Sequence, residues 1–110
     1  MGKNKLKKFA DMERFGCVLQ YPREELLRVG FPHRGKWNGE VFASELPLIL
    51  ELGCGKGEYT VGLAQSDPEH NYVGIDIKGA RMWSGAKEVE EKSIPNAAFL
   101  RAEIENIEHF

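Results

Sequence analysis

The chain has 110 residues, 42% hydrophobic and 29% charged, with a net charge of −2. This is an ordinary globular composition and enough length for one modest domain. It argues against a membrane-spanning protein, since no apolar run is long enough to cross a bilayer, and against a disulfide-framed secreted domain, since Cys17 and Cys54 are the only cysteines.

The opening "MGKNKLKKF" lacks the apolar core of a signal peptide, so a soluble cytoplasmic protein with free thiols is expected. His33, His70 and His109 stand far apart, without zinc-ligand spacing, and no metal site is expected. The charge is divided unevenly. Residues 1–36 hold nine Lys/Arg and four Asp/Glu, 9 − 4 = +5; residues 37–110 hold six and thirteen, 6 − 13 = −7. A basic arm before an acidic body points to a polyanionic partner, and its plainer reading is a solvated tail.

In chain order, residues 3–15 predict a short amphipathic helix with Leu6, Phe9, Met12 and Phe15 apolar. Residues 16–45 are punctuated by Pro22, Gly30, Pro32, Gly35 and Gly39 and read as extended or irregular, with a turn at Asn38-Gly39. From Leu46 the pattern changes. "LPLILEL" is a nearly continuous apolar run, as in a strand buried on both faces. A glycine loop at 53–57 follows, then "EYTVGLAQS", a helix stopped by "DPEHN". "NYVGIDI" is a second strand. "KGARMWSGAKEVEEKS" is a second helix, with Met82, Ala86 and Val89 at helical spacing and Trp83 beside them; Met82 and Trp83 are expected to pack it onto the sheet. "IPN" breaks it, and "AAFLRAEI" is a third strand. Strands alternating with helices predict an α/β fold with a parallel sheet and right-handed crossovers.

A glycine-rich turn from a first strand into a helix marks a nucleotide-type site, where backbone approaches the ligand and the helix supplies free N–H groups. The dinucleotide fingerprint G-x-G-x-x-G requires a third glycine at position 58, which is Glu58; the third glycine here is Gly57. A carboxylate there would repel a pyrophosphate. The pattern Glu51-x-Gly53-x-Gly55-x-Gly57 suits S-adenosylmethionine (SAM), which has no phosphate and carries cationic sulfonium and ammonium groups that Glu51 would favour. Asp76, nineteen residues after Gly57 at the tip of the second strand, can accept from both hydroxyls of a ribose, a device that NAD sites share. Glu103, after the third strand, is placed to meet an adenine, or is plain solvated surface. Cys54 reads as a small filler rather than a reactive thiol.

"ILELGCGKGEYTVGLAQSDPEHNYVGIDIKGA" and "IPNAAFLRAEIENI" resemble the bacterial tRNA (guanine-N7)-methyltransferases over roughly residues 48–108. The shared features are a G-x-G-K-G-E/Q loop, an N-Y/F-x-G-I-E/D second strand, and an Asn ahead of a third strand followed by an acid. The resemblance implies a Rossmann-like SAM-dependent methyltransferase fold, with a seven-stranded sheet ordered 3-2-1-4-5-7-6. Of that sheet only the first three strands with flanking helices are expected here: residues 1–45 as a basic, irregular arm and 46–110 as the N-terminal half of the SAM-binding domain. It carries Glu51, Asp76 and Glu103 over as SAM-binding acids beside Gly53, Gly55 and Gly57. Asp76 and Glu103 stand where the family often has Glu and Asp.

By the same resemblance the reaction is methyl transfer from SAM to N7 of guanine 46 in tRNA. The catalytic residues are expected beyond Phe110, in a D-P-W-P-K-type stretch after a fourth strand, and the 110-residue chain alone is expected to bind SAM weakly and not to methylate. The strand at 48–52 would be an open apolar edge, through which the chain could self-associate. Two other readings stay open from the sequence: a methyltransferase of this fold acting on another substrate, and a non-catalytic nucleotide- or RNA-binding module.

Overall fold

The structure is a computed structural model that describes residues 2–110, with side chains from residue 5 onward. The chain runs α1 (Gly2–Arg14), β1 (Val18–Gln20), α2 (Arg23–Val29), a π-helical turn (Trp37–Phe42), β2 (Leu48–Leu52), α3 (Glu58–Ser66), β3 (Asn71–Asp76), α4 (Gly79–Lys92), β4 (Ala97–Arg101) and a 3-10 turn (Ile104–His109). The four strands form one sheet in the order β1-β4-β3-β2, every pair parallel. No helix among the described residues is long and apolar enough to cross a membrane.

The pairing register sorts the strands' side chains onto two faces. Tyr72 lies opposite Ala97 and Gly74 opposite Phe99. On this face α1, α3 and α4 deliver Met12, Val61, Ala64, Met82, Ala86 and Val89 into a core centred on the fully buried Phe99. Val73, Ile75, Ala98 and Leu100 point the other way and meet Leu26, Phe31, Trp37 and Phe42. α1 is docked rather than free. Met12 is 1% exposed, and the buried Asp11 accepts from Lys7, Arg14 and the Trp83 indole N–H of α4. These three donors, Arg14 foremost, hold the Asp11 carboxyl well below the usual carboxylate range. Trp83 packs, half-buried, against this core and turns its indole N–H to Asp11 of α1, while Met82 enters the core fully.

Residues 16–45 are not irregular. They contribute β1 at one edge of the sheet and four of the nine buried residues of the second core, Leu26, Phe31, Trp37 and Phe42. The punctuation marks element ends: Pro22 stands before α2, and Gly30, at φ +80°, closes it with its amide on the Leu26 carbonyl. Asn38 and Gly39 lie inside the π-helical turn instead of forming a separate turn, because Trp37 and Phe42 at its ends are both buried. Phe31 packs against Tyr21, Trp37 and Phe110 at ring-centroid distances of 5.2, 5.3 and 4.9 Å. The Trp37 indole N–H donates to the Phe110 carbonyl at 3.0 Å.

The run at 48–52, whose composition reads as a strand buried on both faces, is the other edge of the sheet, the open apolar edge expected of it. Leu48, Leu50 and Leu52 on one face and Ile49 on the other are 37–51% exposed. Among the described residues β2 has a strand neighbour on one side only, β3.

Candidate functional site

At the C-terminal end of β2 the backbone turns through three glycines with left-handed φ: Gly53 at 73°, Gly55 at 57° and Gly57 at 83°. Only glycine adopts this repeatedly without strain. The amides of Gly53 and Cys54 both donate to the Ile75 carbonyl, at 2.7 and 2.9 Å, so the loop folds over the end of β3. The Gly57 amide donates to the Cys54 carbonyl at 3.0 Å, and α3 starts at the next residue. From the far side the Gly85 amide of α4 donates to the Lys56 carbonyl at 2.9 Å. That approach is close: a Cβ on Gly85 would stand 3.0 Å from Gly57 Cα, and one on Gly57 would stand 2.6 Å from the Phe99 ring.

Asp76 locks the same loop. Its Oδ2 accepts from the Gly55 amide and its Oδ1 from the Lys78 amide, each at 2.9 Å. Partial burial pushes this carboxyl up, but the two amides and the Arg81 guanidinium outweigh it, and the net shift is downward. Asp76 is therefore anionic at neutral pH, and each oxygen keeps acceptor capacity beyond the amide it already holds. Glu51, one residue before the end of β2, accepts from the fully buried Thr60 hydroxyl of α3 at 2.8 Å through Oε2. Gly74, opposite Glu51 in the register, makes room for this bond, since a Cβ there would lie 2.8 Å from Thr60 Oγ1. Cys54, enclosed between these acids, has its thiol pushed up to about 12 by burial and then by the Asp76 and Glu51 charges. It is no nucleophile.

The structure thus brings Glu51, Gly53, Gly55, Gly57 and Asp76 to one loop. Glu103 stands apart from them. It lies two residues beyond β4, exposed and extended, with its carbonyl receiving the Asn106 amide at 3.0 Å. It lines a neighbouring open cleft of about 630 Å³ together with Ile77, Arg101 and Ala102. The two places are linked by the adjoining strand ends, where Asp76 pairs with Arg101 and the Ala102 amide reaches the Asp76 carbonyl at 3.1 Å. The sequence reading gives no role to Thr60, Gly74, Gly85 or Arg81. A glycine inside the strand "NYVGID" was the one available signal, because glycine in a strand interior marks close approach. A threonine in a helix carries no such mark. Among the described residues no three His, Cys, Asp or Glu side chains gather in a way that could hold a metal ion.

A parallel α/β sheet with a glycine loop leading from an apolar strand into a helix, and an acid at the tip of the next strand, defines the class of Rossmann-like α/β folds. Within that class the family model Methyltransf_4, "Putative methyltransferase", matches residues 45–110, and the chain belongs to this methyltransferase family. Among curated relatives it is similar to the tRNA (guanine-N(7)-)-methyltransferase of Bacteroides thetaiotaomicron, 52% identical over 110 residues, covering 100% of this chain and 44% of the relative. The protein of the same name from Porphyromonas gingivalis is 54% identical over 101 residues, covering 90% and 41%. The one from Pediococcus pentosaceus is 34% identical over 80 residues, covering 73% and 37%. The chain therefore spans less than half the length of these relatives. Among solved structures, PKMT2 from Rickettsia typhi in complex with AdoHcy aligns at a TM-score of 0.44 and 24% identity, covering 67% of this chain and 15% of that one.

Proposed function

We propose that the protein transfers a methyl group from SAM to N7 of guanine 46 in tRNA, as a cytoplasmic enzyme, and that this chain supplies the cofactor side of the site. The observation that carries the reading is the 52% identity over all 110 residues to a relative named for this reaction. The residues present fit the cofactor. A Cβ built on Gly53 meets nothing within 4 Å, so backbone there is open to a ligand without steric cost. Asp76, fixed by two amides, presents acceptors for the two ribose hydroxyls. Glu51 has one carboxylate oxygen held by Thr60, which leaves the other for a cationic group of the cofactor. Glu103, at the next strand end, is assigned to the adenine side. SAM, when bound, supplies an electrophilic methyl on a cationic sulfur. Guanine N7 has a lone pair and no proton to lose, so the task left to the protein is alignment and charge balance.

The test is calorimetric titration of SAM into the chain, its Asp76→Asn and its Glu51→Gln variants, with melting curves as a folding control. One charged hydrogen-bond partner contributes about 1.5–3 kcal/mol, so each variant should bind roughly ten- to a hundredfold more weakly. Equal affinity in all three refutes the assignment. Transfer of labelled methyl to a tRNA transcript by the longer protein, lost when guanine 46 is replaced, tests the substrate. The exposed apolar edge of β2 further supports concentration-dependent self-association of the isolated chain, which sedimentation would read.

A further inference from the structure

We propose that the outer surface formed by α1 and α4 is a docking track for the phosphate backbone of RNA, running to the rim that holds Asp76. The proposal rests on the reading that tRNA is the substrate and specifies where it lies. α1 carries five Lys/Arg against two acids, yet it is a folded helix rather than a free tail. Of its two acids, Asp11 is buried and consumed by Lys7, Arg14 and Trp83. Three lysines on this surface have no carboxylate within ion-pair distance among the described residues: Lys5, Lys8 and Lys87.

Two aromatic rings gather these cations. Lys8 and Lys87 place their Nζ atoms 5.2 and 4.9 Å from the Trp83 centroid, joining α1 to α4. Phe9, the residue after Lys8, receives Lys5 Nζ at 5.9 Å and Arg101 Cζ at 5.7 Å. Arg101 is the register partner of Asp76 and donates to the Ile77 carbonyl at 3.0 Å. The positive charge thus runs from the middle of α4, across α1, to the strand ends where the candidate site lies. Cation–π contacts hold ammonium groups at the surface without neutralising them. Unpaired cations held in a row beside a half-buried aromatic match a phosphate backbone, whose binding releases counterions. Glu13 of α1 and Glu88, Glu90 and Glu91 of α4 share these helices, so the track is confined to the two cation–aromatic groups, Lys8 and Lys87 at Trp83 and Lys5 and Arg101 at Phe9.

The experiment measures binding of an unmodified tRNA transcript to the chain over a range of salt. K5Q/K8Q/K87Q is compared with wild type, with the charge-matched control R28Q/R34Q/K36Q at exposed sites outside α1 and α4, and with K5R/K8R/K87R. Loss of three phosphate contacts should lower the slope of log affinity against log salt by about 2–3 and weaken binding at least roughly tenfold. The control should keep the wild-type slope, and the arginine variant should retain binding. Melting curves and SAM titration verify that each variant is folded with an intact site. An unchanged slope in K5Q/K8Q/K87Q, or an equal loss in the control, overturns the track even if tRNA is methylated. A reduced slope in K5Q/K8Q/K87Q alone supports the track even if guanine N7 proves not to be the methylated atom, and then it is the substrate reading that fails.

Discussion

Replacing Gly57 with alanine separates two costs that a glycine loop can hide. Gly57 sits at φ +83° and ψ 4°, and a non-glycine residue held there costs about 1–2 kcal/mol. The new Cβ would also lie 2.6 and 2.7 Å from two carbons of Phe99, which is fully buried and has nowhere to move. Overpacking of this kind adds about 1–3 kcal/mol, for roughly 2–5 kcal/mol in all. Gly53 is the internal comparison: at φ +73° with nothing within 4 Å of its added Cβ, it should lose only the backbone share, about 1–2 kcal/mol. In a domain of this size each kcal/mol moves Tm by roughly 4–8 °C, so thermal denaturation resolves the difference. Phe99→Leu in the Gly57→Ala background should recover part of the steric share, seen as a favourable coupling of about 1 kcal/mol or more in a double-mutant cycle. A Gly57→Ala cost no greater than that of Gly53→Ala, or additivity of Gly57→Ala and Phe99→Leu, would show that no clash with Phe99 exists.

Three further outcomes follow from single groups. Asn96→Ala should destabilise by about 1–3 kcal/mol in urea unfolding, because its buried Nδ2 donates to the carbonyls of Ala64, Asp67 and His70 at 2.9, 3.1 and 2.9 Å; an unchanged midpoint would remove it as the clasp of that turn. Burial notwithstanding, the Asp76 pKa is depressed in the fold by the Lys78 and Gly55 amides and Arg81. Its stabilisation is therefore complete above the unfolded value, about 4, and is lost as pH falls through the folded one. Tm of wild type minus Tm of Asp76→Asn should be flat from neutral pH down to that range, and a difference already gone at about pH 5 contradicts the sign. Burial and nearby carboxylates push both thiols to about 12, Asp76 and Glu51 acting on Cys54 and Glu90 on Cys17. Alkylation of the native chain near neutral pH should run roughly a thousandfold slower than that of free cysteine, and fast labelling before unfolding would contradict their enclosure.

What the sequence made legible was what repeats or breaks a pattern locally. The loop at 53–57, the helices at 58–66 and 79–92 and the strand at 71–76 each carry a period or a boundary within their own residues. α1 was legible by the same rule, from Leu6, Phe9 and Met12. Residues 16–45 were not, because their elements are three to seven residues long and exist through distant partners: β1 through Phe99–Arg101, and the π-helical turn through the burial of Trp37 and Phe42. Short segments hold too little periodicity to outweigh proline and glycine punctuation. In the site, the residues touching backbone or ligand were readable as glycines and acids. Their supports were not, since Thr60 becomes a partner of Glu51 only once α3 lies across the sheet. "LPLILEL" reads as an interior strand by composition, and only the sheet order shows how little covers it.

The position of β2 has an energetic consequence for the loop that hangs from it. Glu51 belongs to, and the first glycine follows, a strand that among the described residues has a neighbour on one side only, so the ligand-facing loop is anchored on an element open to fraying along one edge. Occupancy of the loop and occupancy of that edge then share one free energy: a strand laid along β2 stiffens the glycine turn, and a ligand gripping the turn stiffens β2 for pairing, each by the same factor.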